Sequence, residues 1–359
     1  MSMPIIHNFN AGPSILPKSV FVEASQAVLN FNNTGLSILE IGHRTSIFQE
    51  VIDEARSLVK ELMQLDKNHE VLYLHGGAST QFMQVPINLL DDKESAAYTD
   101  TGVWSSKAIK EAKLFGKVET VCSSRESDFS FIPKDFAVPN DSKYLHITTN
   151  NTIYGTQWHQ IPKTSNSLVA DMSSDIFSRV LDFNSFDLIY ASAQKNMGAA
   201  GVNLVVVNKN ILGKVKRNIP TIMDYQNHIK EGSMLNTPPV FAIYVSMLTL
   251  KWLKAQGGVA AIEKMNNEKS ALLYSAIDDS ELFTGTVNKE DRSKMNVCFV
   301  MKDKTLEEAF LQFTKTHGIV GIKGHRLVGG FRASLYNALP ISSVAVLTKL
   351  IKEFTDNNI

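Results

Sequence analysis

Hydrophobic residues along this 359-residue chain fall into two rhythms. The first is a short, nearly unbroken apolar run, seen at Val71–His75, Ser95–Thr99, Val118–Cys122, Tyr144–Thr148, Leu168–Ala170, Leu188–Ala191 and Leu204–Val207. Strands read this way when both faces are covered, as in a mostly parallel sheet. The second rhythm is helical. In Ser46–Leu65 the residues Ile47, Val51, Ala55, Leu58 and Leu62 recur at helical spacing, and Ser46 with Gln49 predicts a capping-box start. Val240–Ala255 is a longer helical pattern, closed by Gly257–Gly258. Beyond it the pattern runs helix, strand (Asn296–Met301), helix (Thr305–Thr316), strand (Phe331–Tyr336), helix (Ser342–Thr355). This alternation predicts an α/β fold with a large doubly wound domain over residues 1–258 and a small C-terminal α/β domain over 259–359. The extreme N-terminus is free to pack on either.

Composition changes the picture mainly by exclusion. Apolar residues make up 44% and charged residues 20%, and Lys plus Arg (36) balances Asp plus Glu (36). A neutral, ordinary globular composition points away from nucleic-acid and membrane-surface partners. Only Cys122 and Cys298 occur, with no metal-type spacing, so neither a disulfide framework nor a metal site is expected. No secretory pattern opens the chain and no run of 18 apolar residues interrupts it, so a cytoplasmic location is expected.

Lys195 ends a buried run within Tyr190-Ala-Ser-Ala-Gln-Lys-Asn-Met-Gly198, among small neighbours that leave room for a bulky group. A lysine there either snorkels to water or is desolvated enough for its neutral amine to attack a carbonyl. Asp171 closes the run Ser167-Leu-Val-Ala-Asp171, one strand earlier. It could cap a helix, or it could hold a cation at the same edge of a parallel sheet, where open α/β folds bind ligands. A protonated pyridine nitrogen is such a cation, and a pyridinium is an electron sink.

Around this pair lie further candidates. His75-Gly-Gly-Ala-Ser-Thr80 reads as a strand, a glycine turn and a helix start that would offer Ala78 and Ser79 to an anion. Ser173, Gln194, Asn236 and Thr237 are further polar candidates for phosphate oxygens. Trp104 opens a helix and offers a flat face, or is simply core. Thr152 follows a strand in a loop. His43–Arg44 precede a helix start, and His325–Arg326 with Arg332 lie in and after a glycine-punctuated run. Two His-Arg pairs and an extra arginine suit a small polyanionic substrate.

The runs Ala193-Gln-Lys-Asn-Met-Gly198, Asp171-Met-Ser-Ser174, His75-Gly-Gly-Ala-Ser-Thr-Gln-Phe82, Gly232-Ser-Met-Leu-Asn-Thr-Pro-Pro239 and Lys323-Gly-His-Arg-Leu-Val-Gly-Gly330 together resemble the phosphoserine aminotransferases, in order and over nearly the whole chain. Phe9-Asn-Ala-Gly-Pro-Ser14 and Met295-Asn-Val297 fit as well. The resemblance implies a fold-type I pyridoxal-phosphate transferase of class V, a homodimer with shared active sites. The implied reaction takes L-glutamate and 3-phosphohydroxypyruvate to 2-oxoglutarate and O-phospho-L-serine, in serine biosynthesis. Lys195 would be the Schiff-base lysine, Asp171 the pyridinium contact, Trp104 the stacking ring and Thr152 the ring-hydroxyl contact. Ala78, Ser79, Ser173 and Gln194 would hold the cofactor phosphate, with Asn236 and Thr237 arriving from the partner. Arg332 would take the α-carboxylate, and His43, Arg44, His325 and Arg326 the distal anion. One departure stands out: some members have arginine where this chain has Ser79. Other readings are another class-V enzyme, such as an alanine–glyoxylate aminotransferase or a cysteine desulfurase, and a non-catalytic ligand-binding relative.

Overall fold

The protein is described here by a computed structural model covering residues 5–358. Its elements in chain order begin with β1 (His7–Asn8), α1 (Lys18–Leu29) and α2 (Ser46–Met63). There follow β2 (His69–His75), α3 (Gly77–Leu89), β3 (Ser95–Asp100), α4 (Val103–Ala112), β4 (Lys117–Ser123), β5 (Ser142–Thr148), β6 (Ser167–Asp171), β7 (Leu188–Ser192) and β8 (Val202–Asn208). The rest is α5 (Tyr225–Lys230), α6 (Val240–Ala255), α7 (Gly258–Asp278), β9 (Phe283–Gly285), β10 (Asn296–Met301), α8 (Glu307–Thr316), β11 (Ile319–Val320), β12 (Phe331–Ser334) and α9 (Ile341–Asn358).

All seven apolar runs become strands of one sheet, in the order β2-β8-β7-β6-β5-β3-β4. Its pairings are parallel except those of β8 with β2 and β7. Residues 193–201 between β7 and β8 are too few for a crossover, so the chain must reverse there. Alternate side chains go to opposite faces. Val71, Tyr73, Leu145, Ile147 and Ile189 join the core formed with α1, α2 and α6. Leu72, Leu74, Tyr144, Leu188 and Tyr190 join the one formed with α3 and α4. With both faces buried, no polar alternation survives in the sequence.

The helix over 46–63 is capped one residue earlier than predicted. Thr45, not Ser46, has the extended backbone of an N-cap, and its hydroxyl accepts from the Phe48 N–H at 3.5 Å. Ser46 is already helical, and Gln49 donates to Asp53 instead, so the predicted capping box does not form.

The small C-terminal domain packs α7, α8 and α9 with a three-stranded antiparallel sheet, β12-β10-β9. Phe283, Phe299, Phe310 and Phe331 meet there with ring centres 4.8–6.0 Å apart. The N-terminus resolves its own ambiguity: β1 pairs parallel with β11, and Phe9, fully buried, belongs to this phenylalanine core. Among the described residues no helix is long and apolar enough to cross a membrane, and no group of three His, Cys, Asp or Glu side chains could hold a metal.

Replacing Phe9 with alanine removes a buried aromatic from this core. It should cost about 3–5 kcal/mol of stability, read as a fall in the urea midpoint at constant slope. A loss below about 1 kcal/mol would contradict the placement of Phe9.

Candidate active site

The carboxyl ends of the parallel strands face one crevice, the position at which open α/β sheets bind ligands. β2 ends at the turn Gly76–Gly77, and β3 leads to Trp104 on α4. β5 leads to Asn150 and Thr152, β6 ends on Asp171, and β7 leads into the reversal that carries Gln194 and Lys195. These segments enclose a cavity of about 160 Å³, lined by Ala78, Ser79, Trp104, Thr152, Asp171, Ser173, Gln194 and Lys195 among others.

Local backbone chemistry sets each wall. Gly76 has φ +90°, and a Cβ there would lie 1.9 Å from the Thr80 hydroxyl oxygen, so only glycine lets the chain turn from β2 into α3. The turn presents the N-terminus of a thirteen-residue helix to the cavity. The Ala78 N–H donates to the Ser192 hydroxyl at 2.7 Å, which ties the turn to the end of β7. On α4, the Ser105 hydroxyl accepts from the N–H groups of Thr101 and Gly102, both at 3.0 Å, and so fixes the helix start that carries Trp104.

Asp171 is buried, and its carboxylate accepts from the Ser173 N–H at 2.9 Å. Burial raises its pKa above the ordinary carboxylate value, with the Ser173 bonds and the Lys195 charge opposing. Across the cavity, burial pushes the Lys195 ammonium down to about 8, with Asp171 pulling the other way. The Lys195 Nζ donates to the Thr152 hydroxyl at 2.7 Å. Arg332, on β12 of the small domain, donates to the Thr152 carbonyl at 3.3 Å, and its buried Nε has no partner. The N-terminal segment closes the far side. The Ser14 N–H donates to the Gln194 carbonyl at 2.9 Å, and the Ser14 hydroxyl donates to the carbonyl of Lys195.

Eight of the ten cofactor contacts expected from the sequence therefore meet in one cavity. Asn236 and Thr237 do not line it; the Thr237 carbonyl accepts from His75 Nε2 at 2.7 Å. His43 and Arg44, before α2, also lie outside it, and His43 Nε2 is buried without a partner. His325, Arg326 and Arg332 do not line it either; burial first, and then the charges of Arg332, Arg326 and Lys107, hold the His325 pKa below its ordinary value. Sequence reasoning missed Ser192, Thr148 and Asn150, which line the cavity, and Ser14, which braces the lysine reversal. The Phe9–Ser14 run marked Ser14's segment, but nothing in it said what the segment touches.

Comparison with known proteins gives the family. The aminotransferase class-V family model matches residues 6–347. The phosphoserine aminotransferase of Flavobacterium johnsoniae is 57% identical over 347 residues, 96% of this chain and 98% of that one. The chain belongs to the class-V aminotransferases, among the phosphoserine aminotransferases. The solved phosphoserine aminotransferase of Bacillus circulans subsp. alkalophilus superposes on this member of the family with a TM-score of 0.96 at 40% identity, covering 99% of each chain. A pyridoxal-phosphate-bound phosphoserine aminotransferase from Trichomonas vaginalis gives 0.92 at 34%, covering 97% of this chain and all of that one.

The cavity fits pyridoxal phosphate on its own chemistry. Asp171 is a buried carboxylate that no cation approaches within ion-pair distance among the described residues, and an anion-seeking helix start and an amine of lowered pKa share the cavity with it. In the cofactor-free protein, Lys195 should react with an acylating reagent with its half-maximal rate near pH 8, because only the neutral amine attacks and its pKa is pushed to about 8 from 10.5. Quantitative mass spectrometry of the modified peptides against pH reads this. A midpoint at the ordinary lysine value would contradict the burial argument.

Proposed function

We propose that this phosphoserine aminotransferase uses pyridoxal phosphate to transfer the amino group of L-glutamate to 3-phosphohydroxypyruvate, giving 2-oxoglutarate and O-phospho-L-serine for serine biosynthesis. The observation that carries the reading is the buried Asp171 facing Lys195 across one cavity, in a chain 57% identical to a phosphoserine aminotransferase.

When bound, pyridoxal phosphate supplies an electron sink for the charge that develops at the substrate α-carbon. The protein's residues do the rest. Asp171 gives its charge to a protonated ring nitrogen, which restores its own pKa toward the ordinary range. The α3 N-terminus with Ser79, Ser173 and Gln194 takes the cofactor phosphate. Trp104 covers one face and keeps water out. Lys195 anchors the cofactor, and its free amine carries the proton away from the α-carbon and back, with Thr152 holding that amine in place. Arg332 binds the α-carboxylate common to both substrates, with its unpartnered Nε available for the fork geometry that guanidinium and carboxylate share. His325 and Arg326 hold the distal anion.

The working form is a homodimer in the cytoplasm, with His43, Arg44, Asn236 and Thr237 reaching the partner's site. In support, Asn236 and Thr237 lie outside the cavity that gathers the other eight expected cofactor contacts, and α1 with the loop after it leaves Phe21, Val22, Leu29, Leu36 and Leu39 exposed.

Lys195→Ala should abolish phosphoserine formation; substantial transamination by that variant would remove the mechanism. Arg332→Ala should raise KM for both substrates, each by about 10-fold or more, because both carry the α-carboxylate. An effect confined to one substrate would count against its role.

A further inference from the structure

Lys107 lies three residues after Trp104 on α4, so the two side chains share a helix face. Its ammonium stands 4.5 Å from the centre of the Trp104 ring, and Trp104 is a wall of the active-site cavity. Some surface lysines close on carboxylates, as Lys143 does on Glu94 at 2.6 Å, but Lys107 rests on an aromatic face instead. Among the described residues, no carboxylate lies within 4.0 Å of Lys107, Arg326 or Arg332.

His325 reports that these cations share one field. Its pKa is held below the ordinary value first by partial burial, then by the positive charges of Arg332, Arg326 and Lys107. Cations gathered on one side of a cavity raise the local concentration of an anion there. The Gly76–Ser79 turn that also lines the cavity offers N–H groups and a hydroxyl but no formal charge. Lys107 is the cation seated on the Trp104 ring.

We propose that Lys107 sets the preference of this site for a phosphorylated acceptor: its ammonium leaves the indole face and closes on the distal phosphate while Arg332 holds the α-carboxylate. The inference rests on the transamination reading above. An exposed cation–π contact is a weak hold, and a charge-assisted bond to a phosphate exceeds it. The distal carboxylate of glutamate carries less charge than a phosphate and gains less from the same ammonium. Lys107 is thus a specificity residue that tells the two substrates apart, where Arg332 treats them alike.

The test is steady-state kinetics on the holoenzyme, with both substrates varied. Lys107→Ala should raise KM for 3-phosphohydroxypyruvate about 10-fold and KM for glutamate less than about 3-fold. Inhibition by inorganic phosphate should weaken by a factor similar to the first. Lys107→Arg should recover most of the loss, and Lys110→Ala, on the same helix, should move neither constant. Equal rises for both substrates, or no rise for the phosphorylated one, would overturn the proposal. If Lys107→Ala loses its bound cofactor, Lys107→Gln, which keeps much of the stem, is judged by the same ratio. Failure of the parent reading looks different: the unaltered protein would then make no phosphoserine from glutamate at all.

Discussion

One constraint organises the molecule: a carboxylate and an amine, both withdrawn from water, are held at the same edge of a parallel sheet with a cavity between them. Neither group is comfortable there. Burial raises Asp171 and lowers Lys195, each toward its neutral form, and the charge of each opposes the shift in the other. The tension persists because the surroundings do not yield. Adjacent strands β6 and β7 run parallel in register, both faces of the sheet are packed, and the reversal carrying Lys195 is braced from outside by Ser14. A cofactor cation beside Asp171 relieves one side, and a carbonyl presented to Lys195 uses the other.

The rest of the fold serves that edge from a distance. The small domain brings Arg332 to Thr152, and Thr152 in turn holds the lysine, so substrate anchor and reactive amine are coupled through one residue. The N-terminal segment joins the two parts. Its strand and Phe9 belong to the small domain, while Ser14, five residues on, touches the lysine reversal. Tyr336 adds a second tie, donating to the Ala11 carbonyl at 2.9 Å. Movement of the small domain would therefore be felt at Lys195 along two routes. Charge follows the same logic. The chain is neutral overall, yet Arg332 reaches the Thr152 loop with its buried Nε unpartnered.

Much of this was legible because burial on both faces leaves an unambiguous apolar run. Each of the seven runs is a strand of the central sheet, and Asp171 and Lys195 lie where the ends of two of them predict. The cap is Thr45 and not the expected Ser46, since hydroxyls at 45 and 46 look alike in sequence and only the backbone angle separates them. The two-residue pair of β1 with β11 was illegible, because two residues carry no period and their partners lie more than three hundred positions apart. Lys269 was equally hidden. It is a buried cation on α7 that donates to the carbonyls of Leu335 and Tyr336 and is pushed down to about 7. Its helix looks amphipathic with a lysine at an ordinary position, and only the tertiary packing closes over it. The uncovered apolar side chains around α1, and the residues assigned to a second subunit, lie beyond what one chain's pattern can place.

The amine–acid pair is tested most directly by trapping the cofactor in place. The protein is loaded with pyridoxal phosphate, reduced with borohydride and digested, and the modified peptide is mapped by mass spectrometry. The account predicts a single stable label on Lys195, at close to one per chain, and a clear loss of cofactor affinity when Asp171 is changed to alanine. A label on another lysine, or undiminished affinity in the Asp171 variant, would contradict it.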